Sequence, residues 1–313
     1  MKDMKFANWN INQRSGKKEI PEVVSAEMVR LKPDAFVFTE FLNSSSEKSR
    51  GLIQKFVTGP LGNEYHFFYN VERVGENGIL IAVKKKIEGK YDTVIIREVE
   101  EMDTSNTEQP NFLQIDMEAN GKPLTIIGTR LRGGEEIENY REGCLDRRKE
   151  LAALIDHIDS LDSENIIVAG DFNHGVIRGD ESKFYHGADG VREGYHFTRY
   201  GEFNDLYDTH NYHLMKEDFR TMGMAVHTPS GKQFSYGFKP VNDKDWTPDN
   251  GFFKLDHFVT TNSLKVQNLK YCHQFMEMHR EDLKWKKDKK GRWFINPPFP
   301  DHAILTADIS FLD

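Results

Sequence analysis

The chain has 313 residues, 42 Lys and Arg against 50 Asp and Glu, a formal charge of −8 and 38% hydrophobic content. This is the composition of a soluble globular chain with material for a substantial core, and it excludes a disordered one. No apolar run approaches the ~20 residues that span a bilayer, and the two cysteines, Cys144 and Cys272, exclude a disulfide framework and a cysteine-based zinc cluster. The start Met1–Phe6 carries no apolar h-region, so no secretory signal is expected and the reading is a chain of the reducing cytoplasm. A net negative charge argues at first against a polyanionic substrate, an inference that carboxylates able to recruit metal ions would reverse.

In chain order, short apolar runs predict strands at Lys5–Trp9, Asp34–Thr39, Ile79–Val83, Thr93–Ile96, Phe112–Met117, Leu124–Gly128, Ile166–Ala169, Phe252–Thr260 and Ala303–Ile309. Helices are predicted at Glu22–Leu31, ended by Pro33, and at Asp146–Ile158, where Leu151, Leu154, Ile155 and Ile158 form one stripe. The stretch 174–231 is polar and glycine-punctuated, and predicts long loops with one helix near Glu202–Asp218. No repeat or linker divides the chain, so residues 1–313 are read as one domain, a monomer by default. Strands mixed with helices and joined by short connections predict an α/β (α+β) sandwich of two sheets with helices outside.

Polar residues recur at the ends of these strands. Asn10 and Asn12 follow the first, Glu40 the second, Arg130 the run Leu124–Gly128, and Asp171 and Asn173 the run Ile166–Ala169. Asp256 lies inside Phe252–Thr260, and Asp301 and His302 open the last strand. Each alone reads equally as a turn former or a solvated rim residue. Together they form a set of hard oxygen donors without cysteine, which suits Mg²⁺ or Mn²⁺ rather than zinc.

The segments Asn8–Asn12, Asp34–Glu40, Gly78–Ala82, Gly170–Asn173, Lys254–Phe258 and Pro300–Ile304 resemble, in order, the motifs of the endonuclease/exonuclease/phosphatase superfamily of metal-dependent phosphoesterases. The resemblance implies a four-layered sandwich of two mixed β-sheets flanked by helices. It implies Glu40 as metal ligand with Asn10 beside it, and Asp301 as an acidic neighbour that often joins them. It further implies that Asp171 orients or deprotonates the attacking water with Asn173 on the phosphate, that His302 is the catalytic histidine and that Asp256 is its carboxylate partner. Asn12 takes the second polar position of the first motif and is read as substrate-binding. The sequence departs from the family pattern in Thr129-Arg130-Leu131, where relatives carry Thr-His-Leu; Arg130 is read either as a phosphate ligand or as a structural ion-pair partner. Pro300 stands where Ser is frequent, Thr39 where Gln is usual, and Asn12 runs into Gln13 without the glycine-rich continuation of abasic-site endonucleases.

For the substrate, Lys284–Phe294 interleaves basic residues with Trp285 and Trp293, and predicts a hairpin turning at Lys289-Lys290-Gly291. There Lys286 and Lys287 would meet backbone phosphates and Trp would stack on a base; the alternative is a solvated turn with Trp285 and Trp293 as a cross-strand pair. The reading is a Mg²⁺- or Mn²⁺-dependent phosphodiesterase of nucleic acid, DNA before RNA, with no membrane partner. The alternative is a phosphatase or phosphodiesterase of a small or lipid-like phosphate ester. Six histidines between His174 and His227 include His210 and His213 at helical spacing, and no metal role is expected of them.

Overall fold

Strands buried on both faces carry apolar residues at consecutive positions, and here the odd and even positions enter different cores. In Met4–Asn10 (β1), Met4 and Phe6 face a core between two sheets, whereas Ala7 and Trp9 face an outer one. Ala35–Leu42 (β2) divides in the same way, with Ala35 and Val37 between the sheets and Phe36 and Phe38 outside. Ile166–Ile177 (β8) sends Ile167 and Ala169 to the shared core and Ile166 and Val168 to a third. This is a computed structural model, and it describes residues 3–12, 22–42, 59, 61–69, 77–86, 94–102, 111–119, 121–131, 140–177, 200–236, 253–279, 281, 285–287, 293–295 and 299–312.

The remaining strands are β3 (Tyr65–Tyr69), β4 (Asn77–Lys84), β5 (Val94–Met102), β6 (Asn111–Ala119), β7 (Lys122–Arg130), β9 (Met224–His227), β10 (Phe253–Thr261), β11 (Leu264–Cys272), β12 (Trp285–Lys287), β13 (Trp293–Ile295) and β14 (Ile304–Phe311). One six-stranded sheet has the order β11-β14-β1-β2-β4-β3, the other β5-β6-β7-β8-β10-β9, and β12 and β13 form a separate pair. Helix α1 (Glu22–Leu31) and the short α4 (Gln274–Met278) contribute Val24, Met28, Phe275 and Met276 to the outer core of the first sheet. Helices α2 (Tyr140–Asp159) and α3 (Tyr200–Thr221) place Leu151, Leu154, Ile158, Tyr212, Met215 and Phe219 on the second. The result is the expected four-layered sandwich of two mixed sheets. Among the described residues no helix is long and apolar enough to cross a membrane.

Each sheet is built around one parallel pair, β1 with β2 and β7 with β8, flanked by antiparallel neighbours. The sheets meet closely at Gly128, where a Cβ would lie 2.6 Å from Ile79 Cγ2 and 2.8 Å from Val37 Cγ1. The strand ends that carry Asn10, Glu40, Arg130 and Asp171 thereby come to one rim.

Two expectations need correction. The region after His174 is less irregular than predicted, because β8 continues to Ile177 and β9 occupies Met224–His227. Opposite Phe172–Gly175 the ladder to β10 breaks between Lys254 and Asp256, which hides the strand from a periodicity test. In the basic hairpin, Trp285 pairs with Ile295 and Lys287 with Trp293, so the two tryptophans are not register partners. Lys284 and residues 288–292 lie outside the described residues.

Candidate active site

Three of the rim positions lie in the left-handed backbone region. Asn12, Glu40 and Asn173 have φ of 49°, 54° and 48°. Asn10 Oδ1 accepts the N–H of Asn12 at 2.9 Å, and Asp171 Oδ1 accepts the N–H of Asn173 at 3.0 Å. The two sheets thus end their central strands with the same local device, a side-chain oxygen that closes a turn two residues on. Glu40 is the extra residue of a bulge, since Thr39 pairs with Ile79 and Phe41 with Gly78. The bulge aims its carboxylate along the rim rather than onto a sheet face.

The rim side chains are bonded to one another. Asn10 Nδ2 donates to Glu40 Oε1 at 3.2 Å and to Asp171 Oδ2 at 2.9 Å, bridging the sheets. Arg130 donates to the same Glu40 oxygen, Nε at 3.1 Å and Nη2 at 3.0 Å, so the structure places it in an ion pair with Glu40. Asn173 Nδ2 donates to the Leu131 carbonyl at 2.7 Å, which ties the loop after β8 to the end of β7. In the antiparallel ladder Asp171 lies opposite Asp256. Asp256 is wholly buried; its Oδ1 accepts from Asn8 Nδ2 at 3.2 Å and its Oδ2 meets His302 Nδ1 at 2.8 Å. The bond to Asp256 uses Nδ1 of His302, so Nε2 is the ring nitrogen that remains for another partner. Trp9 Nε1 donates to the His302 carbonyl at 2.8 Å, fixing the segment ahead of β14.

The electrostatics follow from this packing. Burial opposes charge on His302, but the adjoining Asp256 carboxylate outweighs it and lifts the imidazole pKa to about 10. The ring is therefore an imidazolium at neutral pH. Burial raises Asp171 to about 6, helped by Asp256 and Glu40 and opposed by His302 and Arg130. A buried carboxylate that loses its proton near neutrality is suited to accept one from water. Among the described residues no three His, Cys, Asp or Glu side chains group as a metal site. Glu40 and Asn10, bonded to each other, have the donor chemistry of a hard divalent cation, which one or two carboxylates can hold while it keeps its own waters, and the carboxylate of Asp301 lies near enough to act on His302 and Tyr236. Burial is the main cause of the rise at Asp171, and such a cation would relieve the part that Asp256 and Glu40 add to it.

Two further residues belong to this site without having been singled out in the sequence. Arg147 of α2 is 2% exposed and donates from Nη1 to the Asn173 carbonyl at 2.7 Å. The signal was present: Arg147 stands four and seven residues before Leu151 and Leu154, a charge on the apolar stripe of a helix. Tyr236 packs its ring on His302, with centroids 4.7 Å apart at 32°. No periodicity marked it, because it forms only an isolated bridge with Phe253. Lys286 and Lys287 lie in β12, away from these bonds in sequence. Of the histidines between 174 and 227, His174 is buried and His227 bonds Thr260 Oγ1 at 2.9 Å.

Comparison with solved structures finds the same fold. TDP2 from D. rerio, complexed with single-strand DNA product, superposes with a TM-score of 0.58 at 13% identity, covering 98% of this chain and 99% of that one. The mannosyl-6-phosphatase Bt3783 of Bacteroides thetaiotaomicron gives 0.56 at 11%, covering 98% and 100%. The 3′ phosphatase NExo from Neisseria, bound to a product DNA hairpin, gives 0.55 at 14%, covering 99% and 100%. Comparison with curated protein sequences gives no match. The sequence model of the Endonuclease/Exonuclease/phosphatase family matches residues 7–277, across both sheets and most of the rim just described, and the chain belongs to that family of phosphoesterases.

Proposed function

We propose that the chain is a Mg²⁺- or Mn²⁺-dependent phosphodiesterase that hydrolyses nucleic acid, DNA before RNA, by in-line attack of an activated water. The observation that carries the reading is the buried Asp256–His302 pair at 2.8 Å, set beside Asp171 on the rim where both sheets end. A phosphodiester resists nucleophiles because its own oxygens are negative. His302, held as imidazolium by Asp256, offers Nε2–H to a phosphoryl oxygen and stabilises the charge that grows on it. Asp171, kept in place by Asn10 and by the turn to Asn173, orients the water and takes its proton. Glu40, Asp301 and Asn10 would hold the divalent cation, which would supply Lewis-acid neutralisation of the phosphate. Asn12, Asn173 and Arg130 surround the phosphate as neutral or cationic donors, so they add no repulsion.

Nucleic acid as the substrate is supported by the basic, aromatic hairpin Lys284–Phe294, and two fold neighbours were solved with DNA products. A second reading, a phosphatase of a small phosphate ester, is supported by the likeness to a mannosyl-6-phosphatase. Nicking of supercoiled plasmid with Mg²⁺, abolished by EDTA, is the expected result. If DNA and RNA stay intact while a soluble phosphate ester is cleaved, the second reading replaces the first. Asp171→Ala and His302→Ala should each lower turnover by about 10²- to 10⁴-fold in the same assay; unchanged activity in either would overturn these roles whatever the substrate.

A further inference from the structure

His302, just ahead of β14 of the first sheet, and Asp256, in β10 of the second, lie 46 residues apart, and the segment Ser235-Tyr236 touches both of the stretches that carry them. Ser235 is wholly buried. Its carbonyl accepts the Ala303 N–H at 2.8 Å, one residue after His302. Its hydroxyl oxygen accepts the Leu255 N–H at 2.8 Å and the Asp256 N–H at 3.4 Å. Those donors sit where the ladder between β8 and β10 breaks, so Ser235 supplies an acceptor that the sheet does not. Tyr236 is tied to Phe253 by two backbone bonds of 3.1 Å, and its ring lies over the imidazole of His302. Tyr271 Oη, donating to the Asp256 carbonyl at 2.7 Å, and Trp9, donating to the His302 carbonyl, hold the outer ends.

We propose that Ser235 and Tyr236 are the positioning residues of the Asp256–His302 pair, Ser235 setting the spacing of the two segments and the Tyr236 ring fixing the imidazole so that Nε2 faces the phosphoryl group. A ring bonded at Nδ1 alone still rocks about that bond. A flat aromatic face packed against it removes the freedom, and an imidazolium gains from the negative face of a phenol ring. Burial, followed by the field of Asp301, Asp171 and Glu40, pushes the Tyr236 hydroxyl up to about 12, so the ring stays neutral over the working range. The inference rests on the phosphoesterase reading above, in which His302 acts on the substrate.

The test measures hydrolysis of bis(p-nitrophenyl) phosphate with Mn²⁺ for the full chain and for Tyr236→Ala, Tyr236→Phe, Ser235→Ala and His302→Ala. It also records the far-downfield NMR resonance of the His302 Nδ1 proton in the bond to Asp256. Tyr236→Ala is expected to lower kcat about tenfold or more with KM nearly unchanged, since a misplaced group costs rate rather than binding. It should also broaden the resonance. Tyr236→Phe, which keeps the ring, should restore both kcat and the resonance, and Ser235→Ala should behave like Tyr236→Ala. If Ser235→Ala does not fold, the two Tyr236 variants decide the matter, because Tyr236 is only partly buried. Loss of activity in His302→Ala with normal kcat and a sharp resonance in Tyr236→Ala overturns this inference alone. Undiminished hydrolysis by His302→Ala overturns the reading of the site on which it rests.

Discussion

Glu40 sits at φ 54°, a conformation that costs a residue with a Cβ about 1–2 kcal/mol. The Glu40→Gly chain should therefore be as stable as the parent or more so in thermal melts, while losing hydrolysis by about 100-fold or more. A large loss of stability would mean that the carboxylate holds the fold and not the site. Arg130 raises a related point, because its bonds draw on the Glu40 carboxylate that the proposed divalent cation would also use. Arg130→Ala should bind Mg²⁺ about fivefold more tightly by titration calorimetry, the pair being partly exposed and worth about 1 kcal/mol, yet turn over more slowly. Weaker binding of the ion would show that Arg130 shapes the ligand set instead of competing for it. At this scale the motifs singled out Asn10, Glu40, Asp171, Asp256 and His302, and the structure brings these side chains together at one rim. Ser235 and Tyr236 were not legible in the sequence, because they act through backbone contacts and ring packing, which leave no pattern of residue types; Arg147 left only the mark of a charge on the apolar stripe of α2.

Helix α3 covers a pair of buried histidines behind the rim. His257 Nε2 bonds the His174 carbonyl at 2.8 Å and must donate there, so Nδ1 accepts from Thr228 at 2.8 Å, with Tyr212 at 3.0 Å from the same hydroxyl. Burial drives His257 down to about 4, and the nearby Lys254 and Lys216 push the same way against Asp256 and the His174 carbonyl. His174 lies well below its ordinary range, by burial and then by Arg147 and Arg148. The native state thus refuses protons that the unfolded chain binds below about 6.5, so stability is full above that pH and falls as pH drops towards 4. For His257 the loss is on the order of 3 kcal/mol. Denaturant midpoints measured between these limits should show it, and His257→Gln should flatten the dependence while lowering stability at neutral pH. An unchanged slope would remove His257 from the account. The elements themselves were mostly readable, because β1, β2, β4 and β8 are apolar at successive positions. Strand β11 was not, since only Leu264 and Tyr271 of its nine residues are buried and it reads as a polar edge.

At the scale of the whole molecule, the charge of −8 no longer argues against a polyanion, because it is unevenly spread. The stretch Lys284–Arg292 holds six basic residues and one acid, whereas the rim is built from carboxylates. Binding of a single-stranded oligonucleotide, followed by fluorescence anisotropy, should weaken steeply with salt. In a Lys286→Gln, Lys287→Gln double variant the slope of log affinity against log salt should shrink by about 1.5. An identical slope would take β12 out of the interface. The layered architecture was visible from the mixture of runs and helices. Which faces meet was not, because that depends on the close approach at Gly128 and on bulges that shift register.

The bonds that build the rim also join distant parts of the chain. Asn10 meets Asp171 across 161 residues, Asn8 meets Asp256 across 248 and Trp9 meets His302 across 293. Such contacts form slowly, since long loops must close before any of them is rewarded. The order of events in time follows: helices and local hairpins come early, and competence arrives only when the amino-terminal strand docks against both later ones. A chain that lacks β1, β8, β10 or the segment ahead of β14 therefore cannot assemble this rim.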